Sequence, residues 1–168
     1  GMARRRPVLL SDALASGIAI DELALLVARD IRADANVEAT RRFFDRAAHP
    51  LIENDARVLS PSVQAGLLGE QVFLEHHFHA NEADYYDPRN SFLDDVLERR
   101  LGIPISLSVV YVAVAARAGL QAAGVGLPGH FLVRAERGGR HRLLDPFHGG
   151  QLLDQAGCEA LVARVRPG

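Results

Sequence analysis

Three residues of this 168-residue chain have the types and the order of a nucleophilic triad: Ser106, His130 and Asp145. Attack by serine on an amide or ester carbonyl needs a base to take the hydroxyl proton and a carboxylate to orient that base. The sequence puts each of the three at the edge of an element. Ser106 stands where a long apolar helix begins, His130 starts a strand-like run after Pro128-Gly129, and Asp145 ends the next run just before Pro146. If 130–135 and 141–145 pair as a hairpin, His130 and Asp145 meet at one end of the sheet. A helix packed on that sheet can point its N-terminus at the same end. Each residue also has an ordinary structural reading: Ser106 as a helix N-cap, His130 as a strand residue, Asp145 as the start of an Asx-type turn.

The supporting cast is thinner. Backbone N–H groups of the first helical turn could give one oxyanion donor, with Asn90 a candidate for the second. His148, in Phe147-His-Gly-Gly, is a candidate for the wall of the cleft. Gly124-Val-Gly-Leu-Pro-Gly129 matches GxGxxG in letters, but it lies in a strand-like run and contains Pro128, so no dinucleotide cofactor is expected. His76, His77 and His79 lack HExxH spacing, and neither a metal nor any other cofactor is expected. The single cysteine, Cys158, excludes an internal disulfide and a CxxC pair, and reads as a small core residue of a late helix. All 19 basic residues are arginine, which excludes a Walker lysine and a Schiff-base lysine. A net charge of −2 gives no electrostatic case for nucleic acid or an acidic membrane.

The elements that must position these residues change texture near 101. Before it the pattern is helical. Ile20, Leu23, Leu26 and Val27 recur at helical spacing, and 36–59 predicts one helix broken at Pro50, or two. Ser60-Pro61 opens a helix running toward His79, and Asn90-Ser91 opens another with Phe92 and Val96 inward. Arg99 and Arg100, with Asp94, Asp95 and Glu98, read as its solvated, salt-bridged face. Beyond Gly102, Leu107–Ala116 is apolar nearly all round, which predicts a buried central helix closed by Arg117 and Gly119. Three strand-like runs follow, at 123–127, 130–135 and 141–144, the last two joined through Gly138-Gly139. The expected class is α+β: an N-terminal helical layer, then a central helix on a small antiparallel sheet. Residues 1–19 read as a tail with a first short helix, and 20–168 as one domain with its core at about 101–160. Gly1 reads as an expression scar, Arg4-Arg5-Arg6 as a solvated terminus, and a cytoplasmic address is expected.

Three blocks carry a resemblance: Asn90–Tyr111, Gly126–Arg134 and Leu144–Gly150, with Tyr85-Tyr86-Asp87-Pro88 before them. From roughly Asp21 to Leu161 the chain resembles the SirB-type bacterial family, of the transglutaminase-like branch of the papain-like fold. The resemblance implies a Cys-His-Asp triad in active members, with His130 and Asp145 at the histidine and aspartate positions and Ser106 at the cysteine position. Longer relatives continue into C-terminal helical repeats, so this chain is read as a short form or a piece. The serine is a physical departure. A cysteine thiol, with a free pKa of about 8.5, becomes a thiolate beside histidine at a helix N-terminus. A helix terminus typically contributes ~0.3–1 kcal/mol, far too little to ionise a hydroxyl. Two functions therefore stand side by side. One is a non-catalytic or regulatory protein-interaction domain with a Ser-His-Asp pseudo-triad, its partner a protein or peptide. The other is a hydrolase or acyltransferase with Ser106 as nucleophile, His130 as base and Asp145 orienting it. A purely structural module of a larger assembly is the third.

Overall fold

The run of small and branched apolar residues after Pro104 becomes the centre of the molecule. The computed structural model describes residues 37–127, 130–146, 148–154, 156, 157 and 160, with backbone alone at 37, 126, 127, 130 and 131. The expected helix at 20–27, the basic run at 4–6, the Pro128-Gly129 turn and Cys158 lie outside the described residues. Helix α1 spans Val37–Glu53, a 3-10 turn covers Ala56–Val58, and α2 spans Pro61–Gly69. Strand β1 is His79–Ala80, α3 is Leu93–Arg99, β2 is Leu101–Gly102 and α4 is Pro104–Arg117. Strands β3 (Gln121–Leu127), β4 (His130–Arg137), β5 (Arg140–Asp145) and β6 (Gln151–Leu153) form one antiparallel sheet in that order. The fold is α+β, as the sequence predicts.

Every residue of α4 from Ser106 to Ala115 is buried. It is closed by Arg117 in the last turn and by Gly119 just beyond, whose φ of 75° is the left-handed conformation that glycine adopts without strain. Phe44, Ala47 and Leu51 of α1, Leu68 of α2 and Val133, Ala135 and Leu144 of the sheet belong to the same core cluster. The buried Tyr111 hydroxyl donates to the Ala65 carbonyl of α2 at 3.1 Å, and burial holds its pKa above the ordinary phenol value. The β4–β5 turn uses Gly138 and Gly139, both at positive φ (57° and 78°), as a two-residue hairpin of this kind requires.

Several boundaries differ from expectation, each for a local reason. Pro50 does not break α1, which runs through it as one helix of 17 residues. The helix opened by Ser60, whose hydroxyl accepts from Val63 N–H, turns π-helical over Glu70–Glu75, with His76 N–H donating to Gln71 O at 3.0 Å. Asn90-Ser91 does not open α3. Pro88–Ser91 is a 3-10 turn capped by the Asp87 side chain, and α3 starts at Leu93. Nor is Arg100 part of a solvated face. It is the left-handed C-cap of α3 (φ 61°), and its guanidinium carbon lies 4.7 Å from the Phe43 ring centre and 4.9 Å from that of Phe78. Asp95 is buried as well. The two-residue parallel pair β1–β2, His79 with Leu101 and Ala80 with Gly102, has no counterpart in the sequence reading.

Candidate functional site

Ile103, extended at φ −114° and ψ 171°, is the N-cap of α4, Pro104 is its first helical residue and Ser106 its third. Ser106 is therefore not the N-cap, but it caps from inside the helix. Its Oγ accepts from Ile103 N–H at 3.0 Å and donates to Ile103 C=O at 3.2 Å. This is the return half of a capping box, with serine where glutamate or glutamine usually stands. The residue is only 2% exposed. Gly102 explains how tightly the hydroxyl is enclosed: a β-carbon there would lie 2.7 Å from Ser106 Oγ and 3.0 Å from Leu107 Cδ2. First-turn amides such as those of Ile105 and Ser106 have no intrahelical acceptor.

Asp145 ends β5 with a buried side chain, opposite Gln151 of β6. A buried carboxylate must be hydrogen-bonded. Here Oδ1 accepts from His148 N–H at 3.3 Å, and Oδ2 lies 2.7 Å from His148 Nδ1. The His148 side chain is 51% exposed, so one edge of its ring meets solvent while the other holds a buried acid. The structure thus joins two residues that the sequence reading kept in separate roles. The legible signal was the spacing: in Asp-Pro-Phe-His an Asx-type turn returns the fourth residue to the first.

His130 is the first residue of β4, in register with Leu127 of β3. The β4–β5 register pairs Val133 with Leu144. The described pairing ends there, one residue short of Asp145, which pairs with Gln151 of β6. Both hydrogen bonds of the Ser106 hydroxyl go to Ile103 rather than toward the sheet.

Asn90, a candidate oxyanion donor or cleft residue from the sequence, is buried and turned toward its own loop. It is 0% exposed, and its amide donates both hydrogens to backbone carbonyls, Asp84 O at 2.9 Å and Tyr85 O at 3.0 Å. Its Oδ1 accepts from Asn81 Nδ2 at 2.9 Å. It shapes a loop and has no hydrogen left for a substrate. The three neighbouring histidines diverge: His76 packs edgewise on Phe43, while His79 Nδ1 contacts His77 O at 2.9 Å. Partial burial, then Arg100, lowers the His76 pKa below the usual imidazole value. A hollow of about 400 Å³ between α1 and α3, lined by Thr40, Phe43, Arg46, Asp94, Leu97 and Glu98 among others, includes none of the five candidate residues.

Residues 17–167 match the family model described as the transglutaminase-like superfamily. A UPF0162 protein of Xylella fastidiosa (strain 9a5c) is 38% identical over 144 residues, covering 86% of this chain and 50% of that protein. The UPF0162 protein of Vibrio cholerae is 35% identical over 97 residues, covering 56% of this chain and 36% of that one. F-box only protein 21 of Mus musculus is 37% identical over 95 residues, covering 52% of this chain and 15% of that protein. The chain spans about half the length of the Xylella relative. No solved structure matches. No helix among the described residues is long and apolar enough to cross a membrane. With a helix N-terminus, a strand histidine and a strand-end aspartate in that chain order inside a match of this extent, the chain belongs to the transglutaminase-like superfamily.

Proposed function

We propose that this chain is a non-catalytic, regulatory protein-interaction domain on a transglutaminase-like scaffold, with Ser106, His130 and Asp145 in the triad positions as a pseudo-triad. The observation that carries this reading is the state of Ser106. A nucleophilic hydroxyl must reach a carbonyl carbon while giving its proton to a base. The Ser106 hydroxyl is enclosed, and it both donates to and accepts from Ile103. Freeing it would cost two hydrogen bonds, each worth about 0.5–1.5 kcal/mol net, before any chemistry began.

Intact-protein mass after treatment with a fluorophosphonate, with Ser106→Ala alongside, tests the reading. The expected result is no adduct that depends on Ser106. A single adduct on the native chain that vanishes in the variant would overturn it. The serine hydrolase or acyltransferase would then stand, with Ser106 as nucleophile, His130 as base and Asp145 orienting it.

A further inference from the structure

Between β1 and the 3-10 turn, the chain puts two tyrosines outside. Tyr86 is 90% exposed and Tyr85 is 44% exposed, with ring centres 5.3 Å apart in an edge-to-face pair. Tyrosine normally hides much of its ring. A loose loop would explain such exposure, but this loop is tied down. Asn81 N–H donates to Gly102 O at 2.9 Å, beside Ser106, and Asn81 Oδ1 accepts from Asp84 N–H at 3.0 Å. Buried Asn90 holds the carbonyls of Asp84 and Tyr85, and Asn81 and Asn90 bond each other. Two buried asparagines therefore fix the backbone that carries the exposed rings. Rigid, exposed aromatic side chains on an ordered backbone are what an interface anchor needs, because little entropy remains to be lost on binding.

The charge around the rings selects the partner. Glu82 and Asp84 lie on the exposed face of the loop, within four residues of Tyr86. Asp87 is bound to Arg89 at 2.7 Å and Arg99 at 3.4 Å, so with Glu82 and Asp84 the loop and its two arginines keep one carboxylate in excess. Two exposed tyrosyl rings on a loop with carboxylate in excess attract a cation that is itself flat and apolar on its faces. That is arginine rather than lysine. The same carboxylates repel phosphate, which argues against nucleic acid or an anionic bilayer.

We infer that the loop from Asn81 to Asp87 is a docking platform for an arginine-bearing segment of a protein partner, its guanidinium stacked on Tyr86 and its charge met by Glu82 and Asp84. The inference rests on the interaction-domain reading, but its test has no readout at Ser106, so the two can fail separately. The chain has three tyrosines and no tryptophan, and Tyr111 is buried, so intrinsic emission reports largely from this loop. The full chain is titrated with end-capped hexa-arginine, hexalysine and hexaglutamate peptides, following labelled-peptide anisotropy for affinity and tyrosine emission for place. Hexa-arginine is expected to saturate, to perturb the emission, and to bind at least about threefold more tightly than hexalysine. Tyr86→Leu keeps the apolar bulk and is expected to abolish that preference, while Glu82→Gln with Asp84→Asn weakens both cationic peptides. Absence of saturation, equal affinity for the two cationic peptides, or a Tyr86→Leu chain that binds like the native one would overturn the inference.

Discussion

Replacing Ser106 by alanine separates a structural hydroxyl from a catalytic one through stability alone. In Ser106→Ala the Ile103 N–H loses its acceptor at 3.0 Å, and the N-cap carbonyl loses a donor at 3.2 Å. Loss of a helix-capping side chain costs about 0.5–2 kcal/mol, and leaving a buried donor unpaired costs about 1–3 kcal/mol. Ile103 is partly exposed, so water meets part of the need and the lower half of these ranges applies. An estimate of ~1.5 kcal/mol results, which for a chain of this size lowers Tm by about 3–6 °C. Ser108 is the internal control. Its Oγ donates to Pro104 O at 2.7 Å, a carbonyl that the helix ladder also uses, so Ser108→Ala is expected to cost under about 1 kcal/mol. Thermal unfolding followed by far-ultraviolet circular dichroism, with urea midpoints alongside, makes the measurement. A working nucleophile held in a strained site behaves oppositely, since its truncation is commonly neutral or stabilising. A Ser106→Ala chain as stable as the native one, or more stable, would refute the capping account and with it the main support for a non-catalytic domain.

Other perturbations read the same neighbourhood. Ser106→Cys puts a thiol where the native side chain is 2% exposed, so iodoacetamide should alkylate it more slowly than a free model thiol; faster alkylation would reveal an accessible, ionised sulfur. Gly149→Ala and Gly150→Ala both force alanine into positive φ (67° and 75°), but only at Gly150 would the new β-carbon lie 2.5 Å from Phe73 Cδ2. Gly150→Ala should therefore destabilise by about 1–3 kcal/mol more than Gly149→Ala in urea unfolding, and equal losses would contradict that packing. The Arg89 side chain holds the Asp87 carboxyl down from 3.8 to about 2. A depressed carboxyl stabilises the fold above its unfolded pKa and loses that contribution as pH falls toward its folded value. The urea midpoints of native and Asp87→Asn chains should differ by a constant amount near neutrality and converge between about pH 4 and pH 2; a gap unchanged throughout would rule the pair out.

Much of the fold could be read from residues whose chemistry acts locally. Ser60-Pro61 starts a helix because a hydroxyl accepts and a proline needs no donor. Gly138-Gly139 turns a hairpin because both positions need positive φ, and an all-apolar α4 has nowhere to go but the centre. What escaped was set by competition at longer range. Ser91 looks like a cap, yet Asp87 takes that role four residues earlier, and Asn90 turns inward to hold the loop. Strands of two residues, such as β1 and β2, are too short to show any period. Arg100 reads as a solvent residue by type, and only the fold reveals Phe43 and Phe78 beside it.

The site was half legible for the same reason. Chain order and resemblance single out Ser106, His130 and Asp145, because triad chemistry is a pattern of types. They do not show which groups satisfy each polar atom in a buried setting, and that decides what the residues do. An intact histidine and aspartate argue for catalysis only if a scaffold has no chemical use for them. Asp145 supplies a counter-argument. Once a carboxyl group is buried at the end of β5, its oxygens need hydrogen-bond donors. His148 meets that need from the next turn with its backbone N–H and its ring. The contact joins the end of β5 to the turn that leads into β6. A triad residue is evidence of catalysis only where its partners point at a reacting atom, and both hydrogen bonds of the Ser106 hydroxyl hold the backbone of Ile103 in place.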